Sequence, residues 1–520
     1  MVMPNGLRNP LLFVLLSLCP LASQAQWYAM PPKAEGAAWR VGDPTADQDR
    51  ERVPEARAVA YDHDDLIAIL EAAPREWDEA TRTGSSLANS SCILTLPMPT
   101  SKALLGWETM AFRVVRSDLL HPDLAARYPT ISSYLIQSER DALLFGRIDL
   151  GDQGFHGIVH TEGGTVYLDP WNQTDTDQLM VYTRAEFMAS TSKRREGCDV
   201  RTMGIGKTGD VDGGLDDGRI AQRIGPPYGQ TRRDYMLALA CTGEYGQFHG
   251  GTVSSVLSAM NTTINRINSI TEPELAVRLY LVADNDELIF LNGSTDPYSN
   301  NNTSAMLGEN QTTINSIIGS SNYDIGHVFS TGGGGVAYLS SVCTSFKAGG
   351  VSGLPAPIGD PFDVDYVGHE MGHQFGCNHT FNNSCSGNRS SADAYEPGSG
   401  STIMSYSGIC APNLQNLSDD VYHVHSQIEA SDYLHSGFGN NCATQVSSGN
   451  SAPSVTVGAS AFSIPASTPF ELYATASDGN IGQSLTYSWE QYNLGPATSS
   501  GDNNLNNPSG NAPCIRSFLL

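Results

Sequence analysis

The chain is 520 residues long, with 29 Lys and Arg against 55 Asp and Glu, a formal net charge of −26. That balance repels nucleic acid and anionic membranes, so neither is expected as a partner, and it favours solubility. The length exceeds one ordinary domain and is ample for a large core.

At the N-terminus Arg8 precedes an apolar run from Leu11 to Leu18 and then the small-x-small pattern Ser23-Gln24-Ala25. The run is far short of the roughly 20 residues a bilayer span needs, so residues 1–25 read as a secretory signal peptide. No later stretch is long enough to span a membrane either. Ten cysteines fit an oxidising destination, Cys19 being lost with the signal. A secreted, extracellular monomer is expected. Residues 26–230 have globular patterning without a catalytic signature. Within them Gly154 to His160, a Gly163-Gly164 turn and Thr165 to Leu168 read as a hairpin, the mark of a folded pro-region. Near its end, Lys193-Arg194-Arg195-Glu196-Gly197-Cys198-Asp199 sets an isolated cysteine in a basic segment. The stretch Asp210 to Asp217 looks like a calcium loop but lacks the spacing and terminal Glu of an EF-hand. An acidic linker is the preferred reading, and calcium is left open. Arg232-Arg233 offers a processing point.

Residues 231–445 alternate strand and helix. Tyr235 to Cys241 reads as a buried strand, and Val253, Val256, Leu257, Met260, Ile264 and Ile267 mark one face of a helix. Leu275 to Ala283 is a second strand, Thr312 to Ile318 a second helix, and Tyr323 to Ser330 a third strand. This pattern is that of an α/β half-domain with a mixed sheet. Gly332 to Gly335 is no phosphate loop, because no Gly-Lys-Ser/Thr follows; glycines there let backbone approach a ligand closely.

The sharpest signal is His369-Glu370-Met371-Gly372-His373-Gln374-Phe375-Gly376-Cys377-Asn378-His379, an HExxHxxGxxH pattern. Four apart on a helix, His369 and His373 share a face and can grip one zinc ion, with Glu370 beside them. Gly376 can turn left-handed and end the helix, which brings back His379 as third ligand. Three protein ligands leave a fourth position for water, as catalytic zinc sites do. The bland alternative is a solvated helix carrying histidines by chance, a poor account when the whole chain has twelve. Val364, Val367, Met371 and Phe375 recur at helical spacing as a buried stripe, and Asp363 and Asp365 sit where carboxylates favour a helix N-terminus. The sequon at Asn378-His379-Thr380 is read as chance, since a glycan would crowd the site.

With Ser401-Thr402-Ile403-Met404-Ser405-Tyr406 following that motif, the chain resembles the metzincin clan of zinc peptidases, in which a methionine in a tight turn underlies the zinc site; Met404 matches it. Gly335-Val336-Ala337-Tyr338-Leu339 and Cys343 resemble the cleft-edge strand and cysteine of the reprolysin, or adamalysin, branch, in particular its secreted bacterial members. Two positions depart from that branch: Thr380 stands where reprolysins usually have Asp, and Tyr406 stands where they usually have Pro. Tyr406 is similar to the tyrosine of the astacin and serralysin branches, which can swing toward the oxyanion. It is either an oxyanion helper or a wall residue.

The resemblance implies a zinc metalloendopeptidase hydrolysing protein or peptide substrates laid along Gly335, Val336 and Ala337. Its Glu370 would serve as general base and then acid. An irregular lower subdomain from Thr380 to Ser401, with a helix near Ser426 to Leu434, would complete the cleft. It also implies a latent precursor in which Cys198 occupies the water position on zinc; the competing reading is a Cys198–Cys92 disulfide. The preferred disulfides are Cys385–Cys410, bracketing the zinc loop and Met-turn, and Cys343–Cys442. Rival functions are a catalytically inactive zinc-binding adhesin and a zinc hydrolase of cell-wall peptide.

Residues 446–454 are small, polar and closed by Pro453, as a linker is. Beyond them Val455 to Val457, Phe470 to Tyr473 and Leu485 to Glu490 read as short strands of an immunoglobulin-like module that resembles the polycystic-kidney or cadherin-like type. At 455–520 it is too short for the roughly 100 residues of a full sandwich, so a partial β-sandwich is expected.

Overall fold

The computed structural model describes residues 27–29, 56–77, 84–100, 106–172, 175–190, 198–201, 229–458, 461, 463–465, 468–480, 484–498, 512–515 and 518–519. The signal peptide, most of the basic segment before Cys198 and the acidic linker lie outside them. Among the described residues no helix is long and apolar enough to cross a membrane.

Period-two alternation folds the region before residue 190 into a nine-stranded sheet. Its strands lie in the order Trp27–Ala29, Arg57–Tyr61, Asp175–Thr183, Gly164–Asn172, Gly154–Thr161, Phe145–Gly151, Ser132–Ser138, Trp107–Arg116 and Ile93–Pro99. Every neighbouring pair is antiparallel. The hairpin read from Gly154 to Leu168 is the central pair of this sheet. One face carries Val59, Phe112, Ile136, Ile148 and Val181 and closes over the helix His63–Glu71 through Leu66, Ile69 and Leu70. The other face presents Arg147, Asp149 and Tyr167 to the second half of the molecule.

That second half is built on a sheet in the order Cys198–Arg201, Gly334–Tyr338, Gly350–Gly353, Ile325–Ser330, Thr231–Cys241 and Val277–Leu281, with Thr444–Ser447 paired to the start of Thr231–Cys241. Gly334–Tyr338 runs antiparallel to Gly350–Gly353, while Thr231–Cys241 lies parallel to both Ile325–Ser330 and Val277–Leu281. Alternation along the central strand supplies two cores. Leu237 and Leu239 face the helix Val253–Leu275, and Ala238 and Ala240 face the helix Thr303–Ile317. The second helix starts nine residues before the expected Thr312, because Asn302 caps it by accepting from the Ala305 amide and Met306 and Leu307 bury.

The helix Val253–Leu275 lies between the two halves, so its polar side is buried as well. Arg147 reaches Glu272 at 2.8 Å and Asn265 at 2.6 Å. Arg266 bridges Asp169 on the N-terminal sheet and Asp363, the latter at 2.9 Å. Arg184 pairs with Asp419 at 3.0 Å and Asp420 at 3.1 Å, and the Tyr167 hydroxyl lies within hydrogen-bond distance of both Asp360 and Asp420. Burial, and then Asp420, push the Asp360 carboxyl well above its ordinary value, with Arg184 opposing them.

One expectation is corrected. Arg232 and Arg233 are not an accessible processing point: they lie inside the strand Thr231–Cys241, hydrogen-bonded into ladders with Val277–Leu281 and Thr444–Ser447. A protease needs extended, unpaired backbone. Beyond residue 453, Ser454–Val457 pairs with Ala474–Ser477, and Ser488–Trp489 with Phe518–Leu519. Phe470 to Tyr473 forms no strand and is exposed, so no sandwich closes among the described residues. The segment 490–498 instead docks on the other half: Thr498 pairs with Asn383 and Tyr492 stacks on Tyr395 at 4.2 Å.

Candidate active site

Gly359, at φ 69°, opens the helical segment that carries the motif. The segment runs from Asp360 through a π-helical stretch, Asp363–Gly368, into His369–Gln374. Val364, Val367, Met371 and Phe375 are all fully buried, as their spacing predicts. Asp363 and Asp365 do not act through the helix end. Asp363 accepts from Thr263 and Arg266, and Asp365 accepts from the Ser418 amide at 2.7 Å, so both hold neighbouring elements. Gly376 has φ 105°, a conformation only glycine adopts without strain, and the chain turns there toward His379.

The structure brings the three histidines together. Their Nε2 atoms are 3.1 Å (His369 to His373), 3.2 Å (His373 to His379) and 3.3 Å (His369 to His379) apart. Each Nδ1 faces a carbonyl oxygen: Ile403 at 2.7 Å, Cys377 at 2.7 Å and Asn388 at 2.8 Å respectively. Each Nδ1 must therefore carry the proton, which leaves three Nε2 lone pairs converging in a buried place. Burial and then His379 hold His373 well below its ordinary pKa, which keeps it a neutral donor. A tetrahedral Zn2+ with bonds of about 2.0–2.1 Å needs ligand edges of about 3.3–3.4 Å, so the donor set fits that ion.

Glu370 is buried beside them. A Cβ added at Gly335 would collide with Glu370 Oε1, so glycine on the edge strand makes room for the carboxylate. Edge-strand backbone and the Glu370 carboxylate thus meet at one point. The strand Cys198–Arg201 runs parallel along this edge, with Cys198 opposite Gly335, Asp199 opposite Val336 and Val200 opposite Ala337. Cys92 is a free, half-buried thiol next to the Ile69 carbonyl.

Met404 lies against the motif helix: a Cβ at Gly372 would meet its Sδ. Tyr406 is fully buried, stacked on Phe381 at 4.4 Å and edge-on to His379 at 4.5 Å. Cys385 is bonded to Cys410, with Cα atoms 5.8 Å apart, and Cys343 to Cys442, at 5.5 Å.

The sequence reading missed Glu396. Its buried side chain accepts from the hydroxyls of Thr380 and Thr402 and from the amides of Ser401 and Thr402, at 2.8 and 3.0 Å for the amides. It therefore clamps the residue after the third histidine to the Met-turn. Thr380 in place of the family's Asp was the available signal, since a hydroxyl there needs a carboxylate from elsewhere. Asn378 was missed too: its side-chain amide donates to Glu429, a use that leaves no room for a glycan.

The α/β half, built on a mixed sheet, thus carries a motif helix over a methionine turn. Residues 231–429 match the model described as metallo-peptidase family M12B, reprolysin-like. Among solved structures, metalloproteinase-II from Bacteroides fragilis is similar at 10% identity and a TM-score of 0.37, over 70% of this chain and 97% of that one. A structure described as a chaperone-substrate complex is similar at 15% identity and a TM-score of 0.24, over 38% of this chain and 34% of the other. Scores this low carry no argument about function. No curated protein sequence matches.

Proposed function

We propose that the chain is the latent precursor of a secreted zinc metalloendopeptidase. The observation that carries this reading is the convergence of three Nε2 lone pairs beside a buried Glu370 that abuts the edge strand. Bound there by His369, His373 and His379, zinc would supply a Lewis acid and an activated water. Glu370 takes a proton from the attacking water and returns it to the departing amine, so the peptide C–N bond breaks as the new C–O bond forms. Substrate lies extended along Gly335 to Ala337, where ladder hydrogen bonds hold it whatever its side chains. Tyr406, seated against His379, would donate to the oxyanion.

Latency has its support in the strand Cys198–Arg201, which pairs with the edge that substrate needs and sets Cys198 opposite Gly335. The free thiol at Cys92 favours the switch over the disulfide. Glu370→Ala tests the core of the proposal. The purified, processed variant should keep its fold and zinc and lose at least about a hundredfold in peptide cleavage, the scale of general acid-base catalysis. Wild-type turnover in that variant would falsify the mechanism.

A further inference from the structure

Away from the three histidines, a second group of ligand atoms converges. Asp393, His425 and Glu429 each offer one atom, and all three atoms lie within 4.8 Å of one another. His425 and Glu429 are four apart on the helix Val424–Ser431 and so share a face, while Asp393 comes from the loop between the third histidine and the Met-turn. His425 Nε2 is 2.9 Å from Asp393 Oδ1 and 3.6 Å from Glu429 Oε2. These distances bracket the roughly 3.3 Å edge of a tetrahedral site with bonds of about 2.0 Å.

The atoms pointing away from that centre are each held. His425 Nδ1 is 2.9 Å from the Tyr492 hydroxyl, Asp393 Oδ2 accepts from Ser390 Oγ, and Glu429 Oε1 accepts from Asn378 Nδ2. The Asn378 amide adds a bond to Glu429 Oε2 at 2.8 Å, which leaves that oxygen a second lone pair. Outer atoms fixed by hydrogen bonds and inner atoms left converging is how ligands are oriented around a metal. Two carboxylates gathered in a largely buried place also call for a cation.

We propose that Asp393, His425 and Glu429 form a second metal site, structural rather than catalytic, that takes a divalent cation of the zinc type. One imidazole nitrogen and two carboxylate oxygens suit Zn2+, whereas Ca2+ takes six to eight oxygens. The site joins three parts of the chain: the loop, the helix and, through Tyr492, the docked segment beyond residue 490. Because Asn378 immediately precedes His379, it also braces the third ligand of the first centre. The proposal does not rest on peptidase activity. The competing occupant is a proton on His425.

Counting metals on the full-length secreted protein, saturated with Zn2+ and then dialysed against metal-free buffer, decides between them. Two zinc equivalents per chain are expected, and one in His369→Ala/His373→Ala, where only the second site remains. His425→Gln should also hold one. A single equivalent in the unaltered protein, none in the double variant, or two in His425→Gln would overturn the second site. Calcium as the second equivalent would overturn the class of ion. Should His425→Gln fail to fold, Co2+ titration of the unaltered apoprotein serves instead: two equivalents with distinct visible spectra are expected, and saturation after one refutes the proposal.

Discussion

Glu396→Ala removes a carboxylate from a place that water does not reach. Two backbone N–H groups, of Ser401 and Thr402, and two hydroxyls, of Thr380 and Thr402, lose their acceptor. An orphaned buried donor costs about 1–3 kcal/mol. The hydroxyls can rotate to other acceptors and the two amides cannot, so the expected loss is about 2–6 kcal/mol. Part of it must fall on the metal centre. Thr380 follows His379 directly, and Ser401 and Thr402 lead into Ile403, whose carbonyl orients His369. Loss of such outer support lowers metal affinity by about 10–100-fold. Competition against a fluorescent chelator measures the affinity, and urea unfolding measures the stability. Adding Thr380→Asp to the variant restores a carboxylate one side chain away and should recover part of the zinc affinity, which general damage to the fold would not allow. Unchanged zinc affinity and an unchanged urea midpoint in Glu396→Ala would refute the clamp.

Tyr406→Phe should lower kcat by about tenfold or more with little change in KM, because a bond to the oxyanion forms mainly in the transition state; steady-state kinetics showing equal kcat would return Tyr406 to a wall role. Cys198→Ser should give an uncut precursor that cleaves peptide, while Cys92→Ser stays silent. Identical behaviour of the two variants in the same assay would sink the switch. Arg184→Met leaves Asp360 and Asp420 buried without their guanidinium, a change that costs about 3–5 kcal/mol when one partner of a buried pair is removed. The N-terminal sheet should then yield earlier in urea and to trypsin, and a midpoint equal to that of the unaltered protein would count against the pairing.

The histidine centre was legible because its spacing alone encodes geometry: i to i+4 on a helix, a glycine stop, then one more ligand. The strands Thr231–Cys241 and Ile325–Ser330 were legible as apolar runs buried on both faces, and the hairpin in the N-terminal sheet by its turn glycines between two strand-like runs. Long-range pairing left no such trace. Nothing local in Cys198–Arg201 says that it lies along Gly334–Tyr338, and nothing near Arg232-Arg233 says that the strand begins before them. The carboxylates of Asp363 and Asp365 misled because a helix-end preference and a buried ion pair demand the same residue type. Glu396 and the group of Asp393, His425 and Glu429 come from segments whose approach only the folded chain sets. Phe470 to Tyr473 has strand composition but pairs with no strand among the described residues, and composition could not tell the difference.

The helix Val253–Leu275 is amphipathic in sequence yet wrapped on both sides in this structure. Its inward side carries Leu257, Met260 and Ile264, and the side toward the N-terminal sheet carries Asn261, Thr262, Asn265 and Arg266. Surface of the second kind is at home in water. Detachment of the N-terminal sheet along this face would therefore exchange protein hydrogen bonds for hydration with little apolar exposure, and its heat-capacity change per unit area would be small or negative. If the proposed maturation removes that sheet, the same 23 residues can serve as an interior wall with it in place and as an ordinary outer helix without it, avoiding the aggregation that an oily seam would bring.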